Sequence, residues 1–229
     1  MATINATTSQ GGYLDTQRAA SLFNWSDIID GSSGNATNSN VNGTYIYSRA
    51  RYQGGRSAYW LCSRGYLVFD TSVITGTLTA LSLNIYVESV LDLSYTPDAI
   101  VQLTSSPTLT TALLTSDWQY IIGNVASSSF SSAGFTWETI TLNGNAISVA
   151  ETESEMTLQI RDAYYDYYDL ASPSADGYLE YRYNYSGFIP YLDYTMITGY
   201  GQTVNGVIAA NMSTVDGTAK SSISKVLGV

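Results

Sequence analysis

Hydrophobic and polar residues alternate with a period of two along much of the chain. In the clearest case, residues 81–87, the odd positions carry Leu, Leu, Ile and Val and the even positions carry Ser, Asn and Tyr. Residues 155–161 show the same pattern with the apolar residues at the even positions. Because successive side chains of a strand point to opposite faces of a sheet, this pattern predicts strands with one buried face.

The same alternation recurs in short segments separated by turn-forming residues. The predicted strands cover residues 43–47, 66–69, 81–87, 100–103, 136–142, 156–160, 178–183 and 191–195. Residues 30–42 and 127–134, which are rich in Gly, Ser or Asn, are predicted loops. Many short strands with turn signals between them are typical of a sandwich. We therefore predict an all-β, antiparallel sandwich with very little helix.

The composition favours strands and narrows the range of partners. Hydrophobic residues make up 45% of the chain, charged residues only 12%, and there are 20 tyrosines. Aromatic and β-branched residues suit a pleated surface, whereas the helix-favouring Lys, Glu and Gln are scarce. The formal net charge of −10 opposes binding to nucleic acid or to anionic lipid. Since no long apolar run occurs either, we expect no nucleic-acid partner and no membrane insertion.

The start of the chain bears on where the protein works. Residues 1–5 lack the basic start and apolar stretch of a secretory signal. Release of a phage particle by lysis would place the protein outside a cell without an export pathway, and a signal removed before maturation would do so equally well. The predicted location is a virion or an extracellular surface.

The chain contains no His and one Cys, which limits its chemistry. Catalytic arrangements and zinc sites that depend on an imidazole are excluded, and no intramolecular disulfide can form. Cys62 follows Trp60 and Leu61, a setting typical of a small apolar core residue. The carboxylates within residues 151–155 alternate along a stretch containing Ser and Thr, which is more typical of the solvated side of a strand than of a glycosidase pair. We predict that the protein is not an enzyme.

The end of the chain repeats itself every eleven residues. The apolar residues of the repeat that we predict to mediate oligomerisation are Val204, Val207, Met212, Val215, Ile223 and Val226. Asn-Gly and Asp-Gly dipeptides within the blocks are strong turn signals. So short a unit cannot bury a core alone and must stack on neighbours, on the main domain or on other copies of the chain. This predicts a docking or oligomerisation tail; a frayed terminus is the alternative.

Residues 161–170 form the segment with the densest potential chemistry. The tyrosines Tyr164, Tyr165, Tyr167 and Tyr168 alternate there with the carboxylates Asp162, Asp166 and Asp169. Aromatic faces and carboxylates together are typical of glycan sites. The three carboxylates are also candidate Ca²⁺ ligands, since Ca²⁺ takes oxygen donors. A Tyr-rich loop packed on a neighbouring subunit is the third interpretation.

A second cluster brings positive charge to an acidic protein. Its candidate residues for glycan binding or for an interface are Arg49, Arg51, Arg56 and Trp60, and Trp25 is a further candidate. The arginines would suit the acidic Tyr/Asp segment of an adjacent copy or an acidic glycan. Ordinary surface ion pairs are the alternative.

Several stretches of the chain resemble known proteins. Residues 64–72, Arg-Gly-Tyr-Leu-Val-Phe-Asp-Thr-Ser, followed by the strand at 79–87, resemble the core of DNRLRE-type jelly-roll domains, and residues 189–195 resemble the closing strand of that group. The resemblance covers residues 12–196 and implies a jelly-roll sandwich of the carbohydrate-binding-module type. Such domains occur in secreted polysaccharide-acting, cell-surface and virion proteins. The tail is similar to repeats that close many phage structural proteins.

These observations combine into one organisation: an N-terminal arm at residues 1–11, a jelly-roll β-sandwich at 12–197 and a repeat tail at 198–229. The predicted function is a structural protein of a phage virion or extracellular filament, of the capsid-decoration, head-fibre or tail-fibre type. It would assemble with itself and with other virion or filament proteins through its tail and its Tyr/Arg-rich surfaces, with host-glycan binding as an additional role. The alternative is a non-catalytic carbohydrate-binding module of a secreted or surface protein. No cofactor is expected other than the calcium considered above.

Overall fold

A computed structural model describes residues 2–30, 38–41, 43–92, 96–119 and 124–197, together with two short strands at 214–215 and 218–219. Within residues 2–197 the strands are β1 (Ala2–Asn5), β2 (Gly12–Ala19), β3 (Asn38–Val41), β4 (Tyr45–Gln53), β5 (Tyr59–Asp70), β6 (Leu78–Asp92), β7 (Asp98–Thr104), β8 (Phe130–Ser131), β9 (Thr136–Thr141), β10 (Glu155–Asp162), β11 (Asp176–Arg182) and β12 (Tyr191–Met196). Each segment predicted from alternation lies in or overlaps one of these strands.

Helical structure in the described residues is short. It consists of α1 (Trp25–Ile29), a 3₁₀-helix (Thr115–Gln119), α2 (Gly144–Thr152) and a π-helical turn (Ala163–Tyr167). The α2 helix begins at an N-cap, Asn143, whose side chain accepts hydrogen bonds from the backbone N–H groups of Asn145 and Ala146. This helix includes Glu151, so the alternating carboxylates do not lie together on one strand. No helix in this part of the chain is long and apolar enough to span a membrane.

The strands pair antiparallel in the order β1-β12-β6-β11-β4-β5-β10-β7-β8, with β2 and β3 attached beside β5. Strand β6 organises one side of the fold: β12 pairs with its first half, β11 with its second half, and β9 runs along its other edge. The arrangement confirms the predicted all-β, antiparallel sandwich of jelly-roll-like type. It also places side chains of β6, β9 and β12 next to one another on an outer surface.

Strand β5 separates two hydrophobic clusters and is buried on both faces over most of its length. Its odd-numbered Leu67 and Phe69 pack in the main core between the sheets. Its even-numbered Cys62 and Tyr66 pack in a second cluster beneath the short helices. Cys62 is therefore an apolar core residue as predicted, and burial raises the pKa of its thiol well above the usual range.

The predicted N-terminal arm is part of the sandwich. Strand β1 pairs with β12, and Ile4 stands opposite Leu192 and belongs to the main core. The backbone N–H of Ala6 then donates to the carbonyl of Pro190 at 2.8 Å. Residues 2–5 of the predicted arm (1–11) are thus corrected to an edge strand. A four-residue strand with one buried side chain carries too short an alternation to be recognised in the sequence.

Most of the predicted tail lies outside the described residues, including Val204, Val207, Met212, Ile223 and Val226. The described part is an antiparallel pair formed by β13 (Thr214–Val215) and β14 (Thr218–Ala219). Thr214 stands opposite Ala219, and Val215 stands opposite Thr218. The pair flanks the Asp-Gly dipeptide that predicted a turn in the second block of the repeat.

Candidate functional site: an aromatic surface around Trp137

The Tyr/Asp segment predicted to carry function contains a buried ionic centre. Asp166 accepts hydrogen bonds from Arg64 (Nε to Oδ2, 2.9 Å; Nη2 to Oδ1, 2.6 Å) and from Arg161 (Nε to Oδ2, 3.0 Å; Nη2 to Oδ1, 2.6 Å). All three side chains are buried. Burial alone would raise the pKa of the Asp166 carboxyl, but Arg161 and Arg64 hold that pKa well below its usual range. Asp166 therefore acts as a structural carboxylate.

The remaining donors of Arg64 join the short helices to the sheet. Arg64 donates to the carbonyls of Trp118 at 2.9 Å and Ile29 at 2.8 Å, and its guanidinium carbon lies 4.0 Å from the centroid of the Trp118 ring. Arg161 donates to the side-chain oxygen of Gln102 at 2.9 Å. One buried centre thus connects β5, β7, α1, the 3₁₀-helix and the π-helical turn.

The structure gives the three predicted calcium ligands different roles. Asp162 accepts from the backbone N–H of Tyr165 at 2.7 Å and so caps the π-helical turn. Asp166 has both oxygens occupied by guanidinium groups, and Asp169 lies in an exposed loop with a positive φ of 47°. Within the described ranges, no three His, Cys, Asp or Glu side chains are grouped so as to hold a metal ion. The calcium hypothesis gains no support from this arrangement.

The aromatic residues of the predicted site divide between core and surface. Tyr165 is buried and its carbonyl accepts from the indole N–H of Trp25 at 2.9 Å. Trp25 is itself only 2% exposed, so the structure corrects it from a glycan candidate to a core residue. Tyr164 and Tyr168 remain exposed.

Two further candidates are partly covered. The ring of Tyr167 lies 5.8 Å from the Arg161 guanidinium carbon and is half-buried. Trp60 is also half-buried, and its indole N–H donates to the Phe23 carbonyl at 3.1 Å. Neither offers a fully exposed ring face for a ligand.

The predicted arginine cluster is largely paired within the chain. Arg49 forms a two-fold hydrogen-bonded ion pair with Asp176, and Arg51 lies 3.4 Å from the same carboxylate. Arg56, by contrast, is exposed and lines an open cleft of about 710 Å³ together with Arg18. Only Arg56 of this cluster therefore presents its charge to solvent beside a cleft.

A different group of aromatic residues forms a surface of the sandwich, which we call the Trp137 surface. It consists of Tyr86 on β6, Trp137 on β9, Tyr191 on β12, and Tyr185 and Phe188 in the connection between β11 and β12. Trp137 stands opposite Tyr86 in the β6–β9 pairing, with ring centroids 5.7 Å apart. It is nearly parallel to Phe188, at 12° and 6.2 Å, and lies 5.4 Å from Tyr191. Separate elements thus build one continuous aromatic area.

Trp137 differs from the buried Trp25, whose indole N–H donates to a carbonyl, in what its polar edge contacts. It is 37% exposed, and among the described residues no group accepts a hydrogen bond from its indole N–H. The hydroxyls of Tyr86, Tyr185 and Tyr191 likewise form no hydrogen bond within that part of the chain. Ring faces and unused donors therefore lie together at the solvent boundary, the combination found in small-molecule sites.

Charged groups at the margin of the Trp137 surface are paired with one another. Arg182 donates to both carboxylate oxygens of Glu88, at 2.7 and 2.6 Å, and its guanidinium carbon lies 4.2 Å from the Tyr185 ring centroid. The hydrogen bonds from Arg182 hold the pKa of Glu88 below its usual range. Within the described part of the chain, the margin therefore carries no isolated cation.

A polar row continues from the aromatic area along the sheet. The Asn84 amide donates to Asp193 at 3.1 Å and accepts from the Thr139 hydroxyl at 2.7 Å. Because Asn84 is hydrogen-bonded to both Asp193 and Thr139, the positions of these three polar side chains are fixed.

Sequence reasoning did not identify the Trp137 surface, although part of the signal was present. Tyr86 is one of the even positions of the 81–87 strand, so alternation already placed it opposite the core. Trp137 has the same relation to the buried Ile140. What the sequence did not provide was the β6–β9 register that brings these two positions together.

No protein-family model matches the chain, and no curated protein matches it at a significant level.

Proposed function

We propose that this protein is a non-catalytic structural protein of a phage virion or an extracellular filament, in which the sandwich projects and the C-terminal repeat mediates assembly. The observation that carries the proposal is the eleven-residue repeat, whose second block contains the antiparallel pair β13–β14. A short repeated unit gains stability by stacking on other units or on partners. A stable interface would bury on the order of 1,000 Å² or more.

The roles of the carboxylates support a non-catalytic function. Asp166 neutralises two buried arginines. Glu151 accepts from the backbone N–H of Leu78 at 2.6 Å, and Glu155 accepts from that of Leu109 at 2.9 Å. These groups fix loops and helices to the sheet, which is a structural use of side chains that also serve as catalytic acids and bases in enzymes.

The test compares the solution mass of the full chain with that of a chain ending at Ile197, by light scattering. The cut preserves the sandwich, because β12 ends at Met196 and the backbone N–H of Ile197 donates to Thr77. We expect a defined oligomer for the full chain and a monomer for the shortened one. If both are monomers, the tail does not join copies of this chain and the assembly proposal fails.

Tail substitutions separate the repeat pattern from tail length. Replacing Val204, Val215 and Val226 together with Ser keeps the length but removes the apolar residue that opens each block, and the oligomer should dissociate. Asn211→Ser is the matched control, since Ser222 occupies the same place in the next block. The control should keep the mass of the full chain.

A second candidate function is a non-catalytic carbohydrate-binding module, favoured by the exposed Trp137 surface. Under this function the chain ending at Ile197 retains polysaccharide binding, because every residue of that surface lies within the sandwich. Loss of binding on truncation would assign recognition to the tail instead.

A further inference from the structure

We propose that the Trp137 surface binds the ring face of a neutral hexopyranose within a polysaccharide. This inference rests on the second function proposed above and is independent of the assembly role. The sugar ring stacks on Trp137 and its aromatic neighbours, and the sugar hydroxyls form hydrogen bonds with the polar groups at the margin.

The apolar area has a shape that suits a sugar ring. Trp137 and Phe188 are nearly parallel, while Tyr86 meets Phe188 edge-on at 4.5 Å and supports both rings from β6. Tyr191 closes the β12 side. A sugar ring presents C–H groups on its faces, and these pack on an exposed aromatic face much as other apolar groups do. Because three strands hold Tyr86, Trp137 and Tyr191, little conformational entropy of these side chains is lost on binding.

Hydrogen-bonding groups lie around the apolar area. The indole N–H of Trp137 and the hydroxyls of Tyr86, Tyr185 and Tyr191 have no partner among the described residues. In the polar row, one carboxylate oxygen of Asp193 is bound by Asn84, and no described residue donates to the other. Donors and acceptors therefore both lie at the edge of the aromatic area, as sugar hydroxyls require.

The charged groups at the margin favour a neutral ligand. Arg182, the cation at this margin, is held by both oxygens of Glu88. Asp193 adds a further carboxylate, and the chain as a whole carries a net charge of −10. Among the described residues, an acidic sugar would meet negative charge without an ion-pair partner here and no available cation. The cleft beside Arg56 is the place where an acidic group would be favoured instead.

The experiment measures retention of the full chain by affinity electrophoresis in gels that contain a neutral polysaccharide (β-glucan, galactomannan or dextran) or an acidic one (alginate). We expect retention by at least one neutral gel and none by alginate. Trp137→Ala should weaken that retention by about tenfold or more, as expected when a ligand loses a large aromatic contact. Trp137→Phe should keep most of it, because a ring face remains.

Tyr168→Ala is the matched control, since Tyr168 is also an exposed aromatic residue but lies on the Tyr/Asp segment. It should leave retention unchanged, and circular dichroism should show every variant folded. Retention that survives Trp137→Ala overturns the inference, as does retention by none of the neutral gels. Retention by alginate alone, lost in Arg56→Ala, also overturns it but leaves carbohydrate binding as a function. A changed solution mass for Trp137→Ala would instead identify this surface as an interface between copies.

Discussion

Two regions of the molecule combine arginine, carboxylate and aromatic rings in opposite environments. In the buried centre, Asp166 is held between Arg64 and Arg161, with the Trp118 ring against one guanidinium. At the Trp137 surface, Arg182 is held by Glu88 beside aromatic rings, but 16% of the Arg182 side chain and 20% of the Glu88 side chain remain accessible to solvent. The same residue types thus serve two purposes.

The difference shows that solvent access, and not residue type, separates a structural centre from a candidate site. Charges that have lost their water must be paired and hydrogen-bonded, so each member of the buried centre depends on the others. Charges at the surface keep much of their hydration and contribute little to stability when paired. Side chains at the surface remain available to a ligand, whereas those in the buried centre have their bonds already assigned.

The largest expected effect comes from breaking the buried centre. Asp166→Ala leaves two buried guanidinium groups without a counter-charge, so we expect the free energy of unfolding to fall by about 3–5 kcal/mol. Urea denaturation followed by fluorescence measures this change. A loss near zero would mean that water or other groups compensate the arginines and that the centre is not structurally essential.

Lowering the pH should gradually remove the stabilising contribution of the Asp166 carboxylate. The folded-state pKa of Asp166 is depressed below the value of about 3.9 for an unfolded Asp. Its stabilising contribution is therefore complete above about pH 5 and is lost as the pH falls below about 4 towards the folded-state pKa. The urea midpoints of the wild type and of Asp166→Ala should therefore converge as the pH is lowered from about 5 towards the folded-state pKa. A difference that stays constant over this range would contradict the assignment.

Replacing either Trp25 or Trp137 with Phe tests how much the indole N–H contributes to stability in each of the two environments. Trp25→Phe removes the donor to the Tyr165 carbonyl inside the second cluster and leaves a cavity, so a loss of about 1–3 kcal/mol is expected. Trp137→Phe removes an N–H with no acceptor among the described residues and should cost about 0.5 kcal/mol or less. Thermal unfolding measures both. Equal losses would show that Trp137 also has a structural role.

The smallest effect is expected for the surface ion pair. Glu88→Gln keeps the shape of the side chain but removes the charge beside Arg182, and the melting temperature should change far less than in Asp166→Ala. The remaining difference from the wild type should shrink in high salt, which screens exposed charges. A loss comparable to that of Asp166→Ala would show that this pair is structural too.

Some features of the two regions could be predicted from the sequence and others could not. Alternation located the strands that carry both regions, and Cys62 was correctly assigned to the core. Alternation also implied that Tyr86 faces away from the core. Alternation did not indicate that Trp25 and Asp166 are buried, because strand periodicity describes which face of the sheet a residue occupies and says nothing about whether helices cover that face.

The sequence by itself determined the all-β class, the positions of eight strands and the repeat of the tail, since these follow from local periodicity and from turn-forming dipeptides. Only the tertiary structure decided which polar and aromatic residues are buried. Arg64 and Asp166 meet although they are 102 positions apart in the chain, and Tyr86 meets Trp137 through strand pairing alone. Contacts across such distances depend on register and on the packing of short helices over a sheet, and neither leaves a periodic signal along the chain.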